Sequence, residues 1–195
     1  MNFPRFTLRL ATTAALLLSI GALAQAQEER IWHVKAIHPE GRLLDVKVID
    51  KEGKIQPVKA IESSGNLHLL DVKALLGGKH LPVKVLLKGA SDKYEPVKAI
   101  TEGGVILDIK ALTPEGEKLD VKGVKRSGNI IHIKAIGPKG EFYGIKALSP
   151  EGRVYDIKGI KLSSDPVEGK VNGVEFAAHI KALPQAPEDV RSNRE

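Results

Sequence analysis

Cysteine is absent from this chain of 195 residues, and aromatic residues make up only 4% of it. Without cysteine there can be no disulfide bond, no thiolate nucleophile and no zinc site built on thiolates. The six histidines lack the i, i+4 spacing of zinc ligands, and the sequence contains neither a Gly-x-Ser-x-Gly elbow nor a glycine-rich phosphate loop. The sequence therefore predicts no enzyme, no cofactor, no catalytic residue and no metal site.

Charge of one sign is not strongly in excess. The formal net charge is +6 in a chain of which 28% is charged, which favours a solvated surface. No basic cluster alternates with aromatic residues, so nucleic acid is not expected as a partner.

The N-terminal segment has the features of a secretory signal peptide. Arg5 and Arg9 precede an apolar stretch at 10–20, and small residues at 22–26 offer a cleavage site. The apolar stretch is shorter than the ~20 residues of a membrane-spanning helix. We therefore expect residues 1–26 to be removed and the protein to be secreted or periplasmic; the alternative is an uncleaved anchor helix.

A four-residue motif recurs twelve times and is the strongest signal in the chain. In each copy a lysine follows Val or Ile and precedes a small residue and then an aliphatic one, and seven of the gaps between successive lysines are twelve residues. Such a period indicates one structural unit copied many times. The repeat lysines are Lys35, Lys47, Lys59, Lys73, Lys84, Lys98, Lys110, Lys122, Lys134, Lys146, Lys158 and Lys181.

Each copy reads as a strand followed by a turn. With the lysine as position 0, apolar residues at −3, −1 and +1 share one face of a strand, and the lysine shares the other with positions −4, −2 and +2. Linkers such as Pro39-Glu40-Gly41 place Pro where φ is preset and Gly where φ can be positive, which predicts three-residue hairpin loops. Arg126-Ser127-Gly128 is given the same loop, and Asn172-Gly173 predicts an additional hairpin.

The predicted fold is all-β: an antiparallel meander of about twelve short strands, closed as a flattened barrel or a two-sheet sandwich. The repeat domain is expected at 27–183, and residues 184–195 have nothing to bury and are expected to be disordered. A parallel β-solenoid is the alternative. Strands of about seven residues are shorter than the 9–11 that cross a bilayer, so no membrane-spanning segment is expected after signal cleavage.

The hairpin loops also predict a register. Centring the first loop on Glu40 pairs Lys35 with Asp45. Repetition of this rule predicts a cross-strand ladder of alternating lysine and aspartate, in which Asp45 lies between Lys35 and Lys59. Exposed pairs of this kind contribute only ~0.2–1 kcal/mol each, so the ladder would specify register more than it stabilises the fold. His33, His132 and His179 occupy the same −2 slot as the ladder aspartates and are expected to be polar partners of lysine.

The regular Lys/Asp face suggests a binding or structural role without catalysis. Its expected partner is an anionic polymer or a cell-surface partner: an acidic polysaccharide, lipopolysaccharide or a protein. The alternative is a carrier that holds a small anionic ligand in a barrel interior. The candidate binding residues are Lys35, Lys47, Lys59, Lys98, Lys110, Lys122, Lys134, Lys146 and Lys158.

Overall fold

A computed structural model describes residues 30–62 and 68–185. The predicted signal peptide and the end of the predicted tail lie outside these residues. Within them the chain forms thirteen strands and no helix. The strands are β1 (Ile31–Ile37), β2 (Leu43–Ile49), β3 (Ile55–Ile61), β4 (Leu70–Leu76), β5 (Lys79–Leu86), β6 (Glu95–Ile100), β7 (Ile106–Leu112), β8 (Lys118–Ser127), β9 (Ile130–Ile136), β10 (Phe142–Leu148), β11 (Val154–Ile160), β12 (Gly169–Val171) and β13 (Val174–Pro184).

Every repeat lysine lies in its own strand, and β12 is the additional one. The alternation predicted from the sequence is present: in β2, Leu44, Val46 and Val48 are buried, whereas Asp45 and Lys47 are only partly buried. One face of each strand can be apolar because successive side chains point to opposite faces. The all-β prediction and the assignment of the two faces are confirmed.

Six hairpins share the predicted three-residue loop. In the first, His38 N donates to Arg42 O over 2.9 Å, and Gly41 N donates to His38 O over 2.8 Å. Gly41 has a φ of 84°, a conformation that favours glycine because a Cβ would be strained there. The same bonds recur in the loops that contain Gly53, Gly104, Gly116, Gly140 and Gly152.

Tighter, two-residue loops occur elsewhere. The predicted Asn172-Gly173 hairpin is confirmed: Val171 pairs with Val174, and both loop residues have positive φ. The loop predicted at Arg126-Ser127-Gly128 is wrong. Ser127 continues β8 and pairs with Ile130, because a bulge between Gly123 and Lys125 shifts the β8–β9 register and leaves a two-residue loop.

The strands pair in an unusual way that groups them in threes. On one edge β1 pairs with β3 through Ile31–His33 and with β2 through Lys35–Ile37, while β2 and β3 also pair with each other. Three strands that pair mutually in this manner are called a triad below. Triad 1 is β1, β2 and β3; triad 2 is β4, β5 and β13; triad 3 is β6, β7 and β8; triad 4 is β9, β10 and β11.

The second edge of each repeat strand joins its triad to another. The joining pairs are β1–β10, β2–β7, β3–β4, β5–β6, β8–β9 and β11–β13. These six pairs connect each triad once to each of the other three, which is the connectivity of a truncated tetrahedron. All pairings between the described strands are antiparallel, so the sheet closes as predicted, as an uneven ring of twelve strands, and the parallel solenoid is excluded.

The centre of this closed sheet is filled. The residue before each repeat lysine points inward, and the twelve of them surround a cavity of only about 10 Å³, roughly the space that one water needs. They are Val34, Val46, Val58, Val72, Val83, Val97, Ile109, Val121, Ile133, Ile145, Ile157 and Ile180. Each of the twelve strands of the ring therefore contributes one aliphatic side chain to this central core.

A second apolar layer lies around each triad, where a small residue at +1 stands opposite a larger one at −3 of the next strand. Ala36 pairs with Leu44 and Ala60 pairs with Trp32, whose ring centroid is 4.4 Å from that of Tyr155. Alternation of small and large residues lets facing side chains interdigitate. Each triad is therefore apolar beneath and carries its polar residues on the outside.

Candidate functional site

The repeat lysines lie on the outer side of the sheet and converge in groups of three. Eight of them have side chains only 20–29% exposed, and a lysine can bury its aliphatic stem in this way while its ammonium group stays in contact with water. We call each group a lysine face. The faces are Lys35, Lys47 and Lys59 in triad 1; Lys73, Lys84 and Lys181 in triad 2; Lys98, Lys110 and Lys122 in triad 3; and Lys134, Lys146 and Lys158 in triad 4.

The nine candidate residues from the sequence are thus the whole of faces 1, 3 and 4. The structure adds the fourth face, which the sequence prediction left out because its lysines lie in the irregular part of the repeat. Two of its members, Lys73 and Lys84, lie on the consecutive strands β4 and β5, whereas the third, Lys181, lies on β13 near the other end of the described chain. Only the long-range pairing of β13 with β4 and β5 brings them together.

Within every triad, each lysine stands opposite the −2 residue of a neighbouring strand. In triad 1, Lys35 faces Asp45, Lys47 faces Pro57 and Lys59 faces His33. The predicted Lys35–Asp45 pair is confirmed by a hydrogen bond. The predicted placement of Lys59 beside Asp45 in the register is wrong, because β3 turns back to pair with β1 and Lys59 meets His33 instead.

Aspartate–lysine ion pairs recur in each face. Asp45 lies 3.1 Å from Lys47 Nζ in addition to its bond with Lys35. Equivalent pairs join Asp71 to Lys181 and Lys73, Asp156 to Lys146 and Lys158, Asp108 to Lys98, and Asp120 to Lys110. Hydrogen bonds from the lysines hold the pKa of Asp45 and of Asp108 below its usual range. Each face has three lysines. Faces 1, 2 and 4 have one aspartate each and face 3 has two, so every face carries surplus positive charge.

The three histidines of the −2 slot are partners of lysine, as expected. Lys59 Nζ lies 2.9 Å from His33 Nδ1, Lys84 Nζ lies 2.7 Å from His179 Nδ1, and a third such contact of 3.5 Å joins His132 to a lysine of face 4. Burial and then the neighbouring lysines lower the pKa of all three histidines. A neutral imidazole can accept a hydrogen bond from an ammonium group. No group of three or more metal-ligating side chains occurs at 30–62 and 68–185.

Three lysines that face histidine or glycine instead of aspartate have a lowered pKa. Burial lowers the pKa of Lys59, of Lys134, which faces Gly144, and of Lys84. For Lys84 the pKa falls to about 8, because burial is reinforced by the charges of Lys73 and Lys181 and opposed only by Asp71. Face 2 therefore contains the repeat lysine that loses its proton most readily among these three.

This leads to a prediction for Lys84→Met. Between pH 8 and 10.5 the unfolded chain binds a proton at Lys84 that the folded chain does not, so the wild-type free energy of unfolding rises with pH in that window. The variant loses this dependence. We expect it to be more stable than wild type at pH 7, by about 1 kcal/mol after allowance for solvent screening, with the advantage disappearing near pH 10. Urea unfolding at pH 7 and at pH 10 measures the difference in free energy of unfolding between the variant and wild type. An equal difference at both pH values would contradict the lowered pKa of Lys84.

Aliphatic residues surround the lysine faces. Position −4 lies on the outer side and is 37–51% exposed where it is a large apolar residue. These residues are Ile31, Leu43, Ile55, Leu69, Ile106, Ile130 and Phe142. Each face thus combines ammonium groups with apolar surface, so a partner can make both ionic and apolar contacts.

One polar residue that the sequence prediction missed lies in the apolar layer. Glu95 occupies the −3 position of β6, where most repeats have a large apolar residue, and it faces Gly123 of β8. Its Oε2 atom is buried and has no hydrogen-bond partner. The sequence shows a carboxylate three residues before a repeat lysine, which could have marked this position. That a glycine lies opposite it is known only from the strand register.

Comparison with known proteins adds the family. A model described as a family of unknown function, DUF7486, matches residues 28–183. No match was found among curated proteins or among solved structures. Within the part of the chain that the structure describes, no helix is long and apolar enough to cross a membrane. The matched range contains all twelve repeats, so the chain belongs to the DUF7486 family by virtue of its entire repeat domain.

Proposed function

We propose that this protein is a non-enzymatic binding module, secreted or periplasmic, whose lysine faces contact an acidic polysaccharide or the phosphates of lipopolysaccharide. The observation that supports this is the outward position of the repeat lysines, gathered in four groups that each contain more lysines than aspartates. Regularly spaced charges of this kind make weak, additive and salt-sensitive contacts with a polyanion.

The arrangement of the faces favours a long partner over a small one. Each triad is paired with all three others, so the four faces are distributed around the closed sheet. A polymer that touches more than one face gains avidity without any new type of contact. The alternative, a carrier with an internal ligand, gains no support from an interior with about 10 Å³ of space.

The proposed location rests on the sequence. Arg5, Arg9 and the apolar stretch that follows them have the order of a signal peptide, and a chain without cysteine needs no oxidative folding step after export. Outside the cytoplasm, the abundant acidic polymers are cell-surface saccharides and not nucleic acids.

The experiment is retention of the mature protein on immobilised dextran sulfate at increasing salt. We expect the triple variant Lys35→Gln/Lys47→Gln/Lys59→Gln, which neutralises face 1, to bind more weakly. Three lost contacts of ~0.2–1 kcal/mol each correspond to a roughly threefold to 150-fold lower affinity. The dependence of affinity on salt should also become shallower, because fewer counterions are displaced.

A matched control removes the same charge from elsewhere. Lys51, Lys54 and Lys139 are exposed lysines in loops, outside the repeat slot. Their triple substitution by glutamine should leave retention close to wild type. If both triple variants elute at the same salt concentration, net charge alone governs binding and the lysine faces are not the binding sites.

A further inference from the structure

The pseudo-equivalence of the four triads breaks down between β6 and β8. These strands pair only through Glu95–Gly123 and Pro96–Lys122, because the bulge after Gly123 displaces the rest of β8. At most equivalent positions of the apolar layer a larger side chain covers the small residue that it faces, as Leu44 covers Ala36. Here the facing residue has no side chain, and the covering residue is a carboxylate.

A cleft of about 150 Å³ opens at this break. Four cationic side chains line it, together with one aromatic ring and the carboxyl group of Glu95. The lining side chains used below are Lys88, Lys93, Tyr94, Glu95, Lys125 and Arg126. The volume is far above the ~10–15 Å³ that one water needs and below the ~300 Å³ at which drug-sized pockets begin, so it suits a small ligand.

Glu95 is costly where it stands. A buried acceptor without a partner destabilises a protein by about 1–3 kcal/mol, and Oε2 of Glu95 is such an acceptor. Burial raises the pKa of Glu95, although the charges of Arg126, Lys161 and Lys88 oppose the rise. Polar residues that break the local pattern of a fold concentrate at functional sites. A hydrogen-bond donor brought by a ligand would supply what Glu95 lacks.

Gly123 is needed for this arrangement. A Cβ at this position would lie 2.9 Å from Glu95 Oε2 and 2.7 Å from Ile131 Cγ2, closer than packed atoms allow. Most other repeats carry alanine or valine at the equivalent +1 position. The glycine therefore leaves space for the carboxyl group of Glu95 against the wall of the cleft.

The charges define the ligand. Four cations around one carboxyl group leave a surplus even when Glu95 is ionised, which favours a dianion such as a phosphate monoester over a carboxylate. Arginine and lysine are the common phosphate partners in proteins. The carboxylate of Glu95 lies beside the phosphate site and needs a hydrogen-bond donor on the same ligand. A sugar hydroxyl group is such a donor. The ring of Tyr94 also lines the cleft, with Lys93 Nζ 5.2 Å from its centroid and the ring of Phe142 packed edge-on against it.

We propose that this cleft binds a phosphorylated sugar, with the phosphate held by Lys88, Lys93, Lys125 and Arg126 and a hydroxyl group donating to Glu95. The site goes beyond the proposed polyanion binding, because none of these residues belongs to a lysine face. It would take either a free sugar phosphate or a phosphorylated sugar unit within a polysaccharide.

Isothermal titration of the mature protein with glucose 6-phosphate, mannose 6-phosphate and ribose 5-phosphate tests the proposal. We expect saturable binding at one site for at least one of them, and binding at least tenfold weaker for inorganic phosphate and for glucose, which each lack half of the recognised chemistry. Phosphorylated dextran distinguishes the source: tighter binding per phosphate group than the monosaccharide indicates a polymer-bound unit, and weaker binding indicates a free sugar phosphate.

Two substitutions report on the residues. Glu95→Leu restores the apolar pattern of the repeat, so it should raise the melting temperature while it lowers affinity for the sugar phosphate at least tenfold. Arg126→Gln should lower that affinity by a similar factor. The variant that neutralises face 1 should bind the sugar phosphate as wild type does, which separates this site from the proposed polymer binding.

Either of two results would overturn the proposal. One is the absence of saturable binding for all three sugar phosphates. The other is affinity that Glu95→Leu and Arg126→Gln leave unchanged. Loss of retention on dextran sulfate with intact sugar phosphate binding would instead disprove only the role of the lysine faces.

Discussion

Val46→Asp is expected to unfold the protein at neutral pH. Val46 is 4% exposed and lies in the ring of twelve aliphatic residues at the molecular centre. A carboxylate there would be surrounded by eleven other valines and isoleucines, with no cation or donor within the layer. Burial of an unpaired charge costs several kcal/mol, which is comparable to the ~5–15 kcal/mol by which native domains are stable.

Circular dichroism and urea unfolding provide the measurement, and the adjacent residue provides the control. Lys47→Gln changes the outer face of the same strand and should alter the free energy of unfolding by less than about 1 kcal/mol. Val46→Thr, similar in shape to valine, keeps the protein folded and should cost about 1–3 kcal/mol through its buried hydroxyl. Similar losses for Val46→Asp and Lys47→Gln would mean that the two faces are assigned wrongly.

The buried faces of the strands, the hairpin loops and the pairing of Lys35 with Asp45 could be predicted because residues close in sequence determine them. The alternation of apolar and polar residues fixes which face of each strand is buried. Proline and glycine in Pro39-Glu40-Gly41 fix the loop, and the loop fixes the pairing of Lys35 with Asp45. None of these steps requires knowledge of a distant part of the chain.

The distant pairings could not be predicted because nothing in a repeat distinguishes one neighbour from another. Equivalent strands present equivalent edges, so the sequence does not say that β1 pairs with β10. The structure even places Lys35 directly opposite Lys146, a pairing of like charges that is unfavourable in most sheets. The repulsion is relieved because the two ammonium groups lean away from each other, toward Asp45 and Asp156 of their own triads.

The irregular spacings in the repeat acquire a meaning once the triads are known. The long gaps between Lys59 and Lys73, Lys84 and Lys98, and Lys158 and Lys181 are three of the four places where the chain passes from one triad to another. The fourth passage, from β8 to β9, keeps the ordinary gap of twelve residues. The short gap between Lys73 and Lys84 lies within triad 2 and reflects a two-residue loop, in which Leu76 pairs with Lys79. These breaks were visible in the sequence, but their function as connections between triads follows only from the pairing.

The candidate sites divide in the same way. All twelve repeat lysines are recognisable from the motif, and nine of them are the binding candidates of the sequence prediction. That Lys73, Lys84 and Lys181 form a fourth face could not be predicted, since β13 reaches triad 2 from the other end of the chain. Glu95 also breaks the −3 pattern visibly. Its significance depends on Gly123, 28 positions further along, which only the register brings opposite to it.

The longest insertion in the repeat depends on a buried cation, which gives a second prediction of large effect. Lys161 follows β11, and its side chain is 2% exposed. Its Nζ donates to Asp165 O over 2.6 Å and to Ala177 O over 2.8 Å, and it lies 3.8 Å from the carboxylate of Glu168, which is itself 3% exposed. The ammonium group thus joins the segment between β11 and β12 to β13.

Lys161→Met should destabilise the protein by about 3–5 kcal/mol, because it leaves a buried carboxylate without its cation and two carbonyl groups without their donor. The effect should be local as well as global. Glu168 also accepts hydrogen bonds from Leu162 N and Ser163 N. If its carboxylate moves, these two backbone amides lose their acceptor and the insertion becomes less protected. Urea unfolding measures the first effect, and faster amide hydrogen exchange at 161–168 measures the second.

Lys170→Met is the matched control, since it makes the same substitution nine residues further along. Lys170 is 59% exposed and lies 3.4 Å from Glu175 in a surface ion pair. Such pairs contribute about 0–1 kcal/mol, so this variant should unfold close to wild type. If Lys161→Met were no more harmful than Lys170→Met, the insertion would be held by its backbone pairing with β13 and not by the buried ammonium group.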